Sequence, residues 1–224
     1  MPNWEVHVKW AKELGIDEKI ASFINKLIDT PEEVLKNDPT ELGNIYRTNP
    51  EQFKQIIGSH DWGRRSKAII SILRAYCKYR FSDEGVYAAE LHHILDYITH
   101  IRDPRNLAGI IVSSRIFQLS GGKPIEDRIL MIKNYYEREG YGSKRELEAS
   151  LLALDYETYK KMIISLLERK FRDYEISEKV KNFVIENLDR IIDDIDTYLK
   201  KCGRKVARAR AQLTLDKWGT SNKK

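Results

Sequence analysis

The segment Ser66–Arg80, SKAIISILRAYCKYR, decides the fold class. Its apolar side chains recur at intervals of three and four residues, at Ile69, Ile70, Leu73, Tyr76 and Cys77. Because an α-helix completes a turn in about 3.6 residues, this spacing places the apolar side chains on one face. The segment therefore predicts an amphipathic helix.

Helix start signals precede this segment. TPEE (Thr30–Glu33), DPTE (Asp38–Glu41) and NPEQ (Asn49–Gln52) each offer a capping residue, a proline at the first helical position and Glu or Gln at the third. Downstream, the sequence predicts helices over residues 87–101, 107–119, 124–138, 144–153, 156–172 and 177–201. No stretch alternates with period two for long enough to predict a strand. We therefore expect an all-α, multi-helix orthogonal bundle.

Two loop signals divide the chain. SGGK (Ser120–Lys123) and EGYGS (Glu139–Ser143) are rich in glycine, and Ser143 caps a helix whose Glu146 completes a capping box. We expect an N-terminal helical bundle over residues 1–120, a C-terminal helical region over 121–202 and a flexible basic tail over 203–224.

Composition narrows the function classes. The 224 residues contain no apolar run of the roughly 20 residues that a spanning helix needs, so no membrane partner is expected. Cys77 and Cys202 lie far apart with no metal-ligand spacing, which favours a reducing, cytoplasmic compartment and predicts no cofactor. The abundance of Lys, Glu and Ile hints at a thermophile. No Gly-rich phosphate loop or nucleophile elbow is present.

The positive charge is concentrated at the C-terminus. From Thr197 onward there are nine Lys or Arg and one acid, about +8, which leaves about −3 for residues 1–196. In KKCGRKVARAR (Lys200–Arg210), basic side chains follow helical spacing and would neutralise DNA phosphates along one face. The predicted DNA-contacting residues of this run are Lys201, Arg204, Lys205, Arg208 and Arg210. The alternative is a solubilising tail.

QLTLDKWG, which begins at Gln212, follows the basic run. Gln212, Leu215 and Trp218 are three residues apart, so a single 3₁₀ turn would align them along one edge. The stretch resembles the PCNA-interacting peptide, or PIP-box, of archaeal and eukaryotic replication and repair proteins. The resemblance implies that Leu215 and Trp218 fill the pocket of the sliding clamp PCNA and that Gln212 hydrogen-bonds beside it. Gly219 stands where a second aromatic residue is common. The alternative is an amphipathic end that packs on the body.

The body carries a fainter resemblance. DTPEEVLKNDPTELGNIYRT, followed by SKAIISILRAYCKY, is similar to the helix order of helix-hairpin-helix DNA glycosylases of the endonuclease-III and archaeal 8-oxoguanine types. It implies a catalytic acid at Glu126 or Asp127 in GKPIEDRI. The Gly-rich hairpin and its lysine are absent, and Lys67 or Lys123 would have to act as the amine nucleophile.

A third alternative is a metal-dependent phosphohydrolase of the HD type. SHDWGRR contains His60 and Asp61 in a pattern similar to the HDxGK motif, and LHHIL adds His92 and His93. Such a site needs imidazoles and carboxylates around a divalent ion. Adjacent helical residues point about 100° apart, so His92 and His93 cannot both face one ion. His60, Asp61 and His93 are the candidate ligands of this alternative.

DWGRRSK also has a nucleic-acid interpretation. Arg64, Arg65 and Lys67 lie at a helix N-terminus beside Trp62, where cations and backbone N–H groups would meet phosphate and the indole would stack on a base. The alternative places Trp62 in the core.

Together the patterns predict a clamp-binding accessory protein of archaeal DNA replication or repair that contacts DNA non-specifically. The glycosylase and the HD phosphohydrolase are the alternatives, and no catalytic constellation is complete.

Overall fold

A computed structural model describes residues 4–51, 53, 67–120 and 143–204, with the backbone alone for residues 67–68 and 113–120. Within these ranges the secondary structure is helical and contains no strand, which confirms the all-α class. The helices are α1 (Trp4–Glu13), α2 (Glu18–Asp29), α3 (Pro31–Leu35), α4 (Glu41–Thr48), α5 (Lys67–Arg102), α6 (Pro104–Ser120), α7 (Lys144–Ala153), α8 (Tyr156–Asp173), α9 (Glu178–Glu186) and α10 (Leu188–Lys201).

The chain forms two compact units. Unit 1 comprises residues 1–100 and 163–198, and unit 2 comprises residues 101–162 and 199–224. The expected division at residues 120 and 202 stays a prediction, because residues 121–142 and 205–224 lie outside the described ranges. No helix in the described part of the chain combines the length and hydropathy that a membrane crossing needs.

Unit 1 begins with a helical hairpin. After α1 the chain turns at Gly15, whose φ of 88° suits glycine, and the N–H of Ile16 bonds back to the carbonyl of Ala11 at 2.9 Å. Asp17 then caps α2 by accepting a hydrogen bond from the N–H of Lys19 at 2.7 Å. The hairpin buries Trp10 and Ile24 completely, so α1 and α2 face the core of unit 1.

The DPTE segment starts a helix two residues later than its pattern predicts. Thr40, and not Asp38, caps α4, since its hydroxyl accepts from the N–H of Gly43 at 3.4 Å. Asp38 is buried instead and accepts hydrogen bonds from the N–H of Thr40 at 2.8 Å and from the hydroxyl of Tyr76. Arg80 lies 3.2 Å from the same carboxylate. Tyr76 and Arg80 on α5 therefore interact with the carboxylate that the local sequence pattern predicted to be a helix cap.

Helix α5 is two helical segments joined by a kink. Phe81 and Ser82 have non-helical backbone angles, and Ser82 has φ at 56°. A side chain at Gly85 would approach the carbonyl oxygen of Cys77 to 2.8 Å, so the glycine allows the second segment to pass close to the first. The predicted helices over 66–80 and 87–101 match the two segments.

Glu90 joins the second segment of α5 to the start of α9. Its carboxylate accepts hydrogen bonds from the N–H of Ser177 at 3.0 Å and from the Ser177 hydroxyl at 2.6 Å. Its other oxygen lies 3.1 Å from the guanidinium of Arg74, which also donates to the carbonyl of Tyr174. The buried carboxylate thus supplies the cap that α9 lacks locally.

Unit 2 is organised around the start of α6 and the end of α10. The Asp103 carboxylate accepts from the N–H of Arg105 at 3.0 Å, and the Asp103 carbonyl accepts from Leu107 at 3.0 Å. Helix α10 ends at Lys201, the following Gly203 has φ at 68°, and the N–H of Arg204 bonds to the carbonyl of Leu199 at 2.9 Å. This C-cap pattern explains why the chain leaves the helix there.

The cap predicted at Ser143 is confirmed. The Ser143 hydroxyl accepts from the N–H of Glu146 at 3.4 Å and starts α7. Leu147 and Leu151 of α7 are buried, and α7 packs on α6. Leu147 and Leu151 are four residues apart and therefore share one face of α7.

Candidate functional site

Unit 1 contains a buried cluster of His7, Asp29, His92 and Asp96, which we call the histidine–aspartate cluster. His7 lies on α1, Asp29 on α2, and His92 and Asp96 on the second segment of α5. His92 and Asp96 are four residues apart, so they share one helix face. Three helices therefore bring two imidazoles and two carboxylates together.

The imidazoles stack and face the carboxylates. The rings of His7 and His92 are 4.2 Å apart and nearly parallel, with 15° between their planes. His7 Nε2 lies 3.3 Å from one oxygen of Asp96, and His92 Nε2 lies 3.5 Å from the other. His92 Nε2 is also 3.5 Å from Asp29 Oδ1. One imidazole thus lies between two carboxylates.

Two neighbours orient the cluster. His92 Nδ1 is 2.8 Å from the side-chain oxygen of Asn25, which lies four residues before Asp29 on α2. The indole N–H of Trp4 donates to Asp29 Oδ2 at 2.6 Å. Asn25 therefore fixes the rotation of the His92 ring, and Trp4 fixes the carboxylate of Asp29.

The electrostatics of the cluster follow from burial and mutual attraction. Burial lowers the pKa of His7, and the neighbouring His92 lowers it further. For His92, burial acts to lower the pKa, but the carboxylates of Asp29 and Asp96 outweigh it and raise the pKa to about 9. Burial would raise the pKa of Asp96, whereas the two imidazoles hold it well below its usual range. Both carboxylates are therefore charged at neutral pH.

The cluster is sealed from solvent. The side chains of His7, His92 and Asp96 are between 0 and 2% exposed. A phosphodiester of a nucleic acid cannot approach groups at this depth without local opening of the helices. The arrangement can hold a proton or a small cation, but it does not present a nucleophile or an acid to a polymeric substrate.

Unit 2 contains the second candidate site, which we call the arginine groove. It has a volume of about 510 Å³. Its lining includes the basic side chains Arg105, Arg145 and Arg204, the carboxylates Asp103 and Glu148, and the backbone around Pro104 and Gly203. The three arginines are exposed, and each comes from a different helix end.

The charges of the arginine groove are only partly compensated. Arg105 forms a pair with the Asp103 carboxylate at 2.8 Å. Although burial would raise the pKa of Asp103, hydrogen bonds from Arg105 lower it, and the charge of Arg204 lowers it further. Within the described residues, Arg145 and Arg204 form no ion pair at contact distance. The groove therefore offers two guanidinium groups to an external anion.

Few of the sequence-predicted DNA-contacting residues fall within the described ranges. Lys201 ends α10 and is exposed, and Arg204 is exposed in the arginine groove. Lys67 begins α5, and its side chain lies outside the described part. Outside it as well are Arg64, Arg65, Lys205, Arg208 and Arg210. The structure thus joins one predicted residue, Arg204, to Arg105 and Arg145, which the sequence patterns missed.

The other predicted sites have the following positions. His93 is buried, with its ring 6.4 Å from that of Tyr174 and 5.8 Å from that of His92. The planes of the two histidine rings are 88° apart. Outside the described residues lie His60, Asp61, Glu126, Asp127, Gln212, Leu215 and Trp218. Their assignments stay predictions.

The histidine–aspartate cluster was missed because its members are far apart in sequence. The available signal was the pair of four-residue spacings, Asn25 to Asp29 and His92 to Asp96. Such spacing shows a shared face but does not show which other helix will meet that face. His7 in particular carries no local pattern.

Comparison with known proteins gives one significant similarity among curated proteins. No family model matches the chain, and no solved structure is significantly similar to it. The chain is 25% identical over 194 residues to the CRISPR-associated endodeoxyribonuclease Cas12f1 of an uncultured archaeon. The match covers 86% of this chain and 28% of that protein, so the chain spans well under a third of its relative's length.

This similarity contradicts the function that the sequence patterns predicted. The relative is named as a CRISPR-associated endodeoxyribonuclease, and not as a clamp-binding accessory protein of replication or repair, a glycosylase or an HD phosphohydrolase. The prediction relied on an eight-residue tail motif, whereas the similarity covers most of the chain. Short motifs recur by chance far more often than similarity over 194 residues does.

Proposed function

We propose that this chain is a DNA-binding protein that contacts the phosphate backbone through the arginine groove of unit 2. The observation that carries the proposal is the similarity over 194 residues to a protein that is named for its action on DNA. The nuclease activity of that protein is not extended to this chain, because only 28% of its length is matched.

The chemistry of the arginine groove supports phosphate contact. Guanidinium groups present planar donors that match the oxygens of a phosphate, and they stay charged under all physiological conditions. Arg145 and Arg204 form no contact-distance ion pair with a described residue, so binding an anion there breaks no pair in the described structure. Arg105 is held by Asp103 at 2.8 Å and is thereby kept in position at the wall of the groove.

The start of α6 does not compete with the arginines for an anion. Its first N–H groups are already bonded to the carboxylate and carbonyl of Asp103. Side-chain cations, and not helix N–H groups, are therefore the donors of this groove. Such contacts position a backbone without reading base sequence, so we expect little sequence preference.

The groove lies at the start of the basic run. Gly203 and Arg204, which follow the end of α10, line the groove, and the six residues from Lys205 to Arg210 include three further cations. The charge excess of about +8 after residue 196 is thus covalently continuous with the arginine groove. A backbone held at Arg204 would lie within reach of those cations.

The proposal is tested with a triple variant, Arg105→Gln, Arg145→Gln and Arg204→Gln. Binding of a fluorescein-labelled duplex and of the matching single strand is measured by anisotropy at one fixed salt concentration. We expect the variant to bind at least about 10-fold more weakly, since each lost phosphate contact removes a released counterion.

The matched control replaces three exposed cations of unit 1, Lys19, Lys36 and Arg172, by glutamine. It changes the net charge by the same amount but leaves the arginine groove intact, so we expect near-wild-type affinity. Equal losses in both variants would show that only total charge matters, and an unchanged triple variant would reject the groove as the site.

A further inference from the structure

The histidine–aspartate cluster holds one proton at His92 at neutral pH. Nδ1 of His92 lies 2.8 Å from the side-chain oxygen of Asn25, and Nε2 lies 3.5 Å from an oxygen of Asp29 and of Asp96. Oxygen atoms thus face both ring nitrogens, which suits the imidazolium, because that form carries hydrogen on both nitrogens. Burial acts to lower the pKa of His92, but the two carboxylates raise it to about 9.

A second proton would have to bind His7, beside the charge that is already present. The ring of His7 stacks on that of His92, with 4.2 Å between the centres and 15° between the planes. Two stacked imidazolium ions repel each other, and the side chains of both residues are at most 2% exposed, so water screens this repulsion little. The stacked arrangement therefore favours a neutral His7 on a charged His92.

His7 also lacks acceptors for the hydrogen atoms of its charged form. Within the described residues, neither ring nitrogen of His7 has a hydrogen-bond partner. Asp96 lies 3.3 Å from Nε2 without hydrogen-bond geometry, and its other oxygen faces His92. An imidazolium has two N–H donors, and a buried donor without an acceptor is costly. Burial and the charge of His92 together lower the pKa of His7, although Asp96 and Asp29 act in the opposite direction.

Helix α1, which carries His7, is joined to α2 by a turn that has room to move. Gly15 in this turn has φ at 88°, and nothing lies within 4 Å of the position that a Cβ would take. Besides the buried Trp10, α1 is held by exposed ion pairs such as Lys9 with Asp194 at 2.6 Å, and exposed pairs contribute little. Outward movement of α1 would separate His7 from His92 and would give its N–H groups water as acceptor.

We propose that His7 is a pH sensor of unit 1: while His7 is neutral, α1 stays docked on the second segment of α5, and protonation of His7 releases α1. The proton on His92 and the carboxylates of Asp29 and Asp96 stay in place when α1 leaves, because they belong to α2 and α5. The proposal is independent of DNA binding, which concerns residues of unit 2.

The sign of the pH dependence follows from the binding of this second proton. In released α1, His7 meets water and binds a proton near its ordinary pKa of 6.5, whereas docked His7 binds one only at lower pH. The released state therefore binds more protons below pH 6.5, so acid favours it. The ratio of released to docked α1 rises by up to about 10-fold for each pH unit, until the pKa of docked His7 is reached.

Hydrogen exchange of the full chain, followed by mass spectrometry from about pH 7 to about pH 5, tests the release of α1. The protection of α1 is corrected for the intrinsic exchange rate at each pH and is compared with that of α4, another helix of unit 1 that contributes no residue to the cluster. We expect the protection of α1 to fall by at least about threefold while that of α4 is retained. A smaller fall in α1, or an equal fall in α4, would overturn the proposal.

The variant His7→Phe keeps a ring on His92 but cannot bind a proton, so α1 should stay protected across the whole pH range. His100→Phe is the matched control, since His100 is an exposed histidine on the same helix as His92, and it should keep the response of the wild type. Loss of α1 protection in acid that persists in His7→Phe would overturn the proposal.

Should His7→Phe fail to fold, a nuclear magnetic resonance titration of histidine-labelled wild-type protein decides. The ring signal of His7 is assigned from its nuclear Overhauser contact with the stacked ring of His92. We expect His7 to titrate below pH 6.5 while His92 stays charged at neutral pH. A His7 signal that titrates at or above pH 6.5 would overturn the proposal.

Discussion

Replacing Glu90 by alanine is expected to destabilise unit 1 strongly. The Glu90 side chain is 4% exposed and accepts hydrogen bonds from the backbone and hydroxyl of Ser177 at 3.0 and 2.6 Å. It also lies 3.1 Å from the guanidinium of Arg74. The substitution would therefore remove the α9 cap and a buried charge partner together.

The magnitude follows from these contacts. Removing one partner of a buried ion pair costs roughly 3–5 kcal/mol, because the other charge stays buried without compensation. Arg74 is 21% exposed and keeps backbone carbonyl acceptors, so we expect the lower end, about 3 kcal/mol. This corresponds to a change on the order of 100-fold in the ratio of folded to unfolded protein.

The assay is urea unfolding followed by circular dichroism, with hydrogen exchange used to follow unit 1 separately. Glu90→Gln should cost about 2 kcal/mol, since the amide keeps one acceptor for Ser177 but turns a donor towards Arg74. Glu84→Ala is the control on the same helix, because Glu84 is exposed. A loss below about 1 kcal/mol for Glu90→Ala would refute the assigned role, since it would match an ordinary surface substitution.

Two further predictions concern unit 1 and unit 2. Burial would raise the pKa of Asp38, but hydrogen bonds from Tyr76 and the Thr40 backbone hold it below its usual range. The stabilisation by the ionised carboxylate is therefore present above the pKa of the unfolded state and is lost as the pH falls through the pKa of the folded state. The free energy of unfolding, measured by urea denaturation, should therefore be lower for Asp38→Asn than for the wild type at neutral pH. A difference between the two proteins that does not become smaller in acid would contradict this prediction. Gly43→Ala should cost about 2 kcal/mol, because its Cβ would meet the carbonyl oxygen of Asp38 at 2.2 Å. Gly109→Ala should increase stability by up to about 1 kcal/mol, because nothing lies within 4 Å of its Cβ. Similar changes in stability for Gly43→Ala and Gly109→Ala in urea melts would be evidence against the packing at Gly43.

Local sequence patterns were sufficient for much of the fold. The sequence predicted α7 with both its ends, over residues 144–153, and the end of a helix at Arg80, where α5 is interrupted. The predicted helix over 177–201 is in fact two, α9 and α10, which meet at Asn187. A break without Gly or Pro leaves no local signal, so periodicity alone extends the helix through it.

The candidate sites could be predicted only in part. Arg204 belonged to a visible basic run, but Arg105 and Arg145 join it in the groove through the tertiary packing of unit 2. In the sequence His92 is adjacent to His93, whereas in the structure its ring stacks on that of His7, 85 positions earlier in the chain. Contacts at such separation depend on how helix faces meet, which spacing within one helix does not determine.

The salt dependence of DNA binding tests the central claim most directly. The logarithm of the association constant is plotted against the logarithm of the salt concentration for wild type and for the Arg105→Gln, Arg145→Gln, Arg204→Gln variant on one duplex. If the three arginines contact phosphates, the slope of the variant should be shallower by roughly 2 to 3. Parallel lines for the two proteins, or no binding of DNA by the wild type at low salt, would contradict the account.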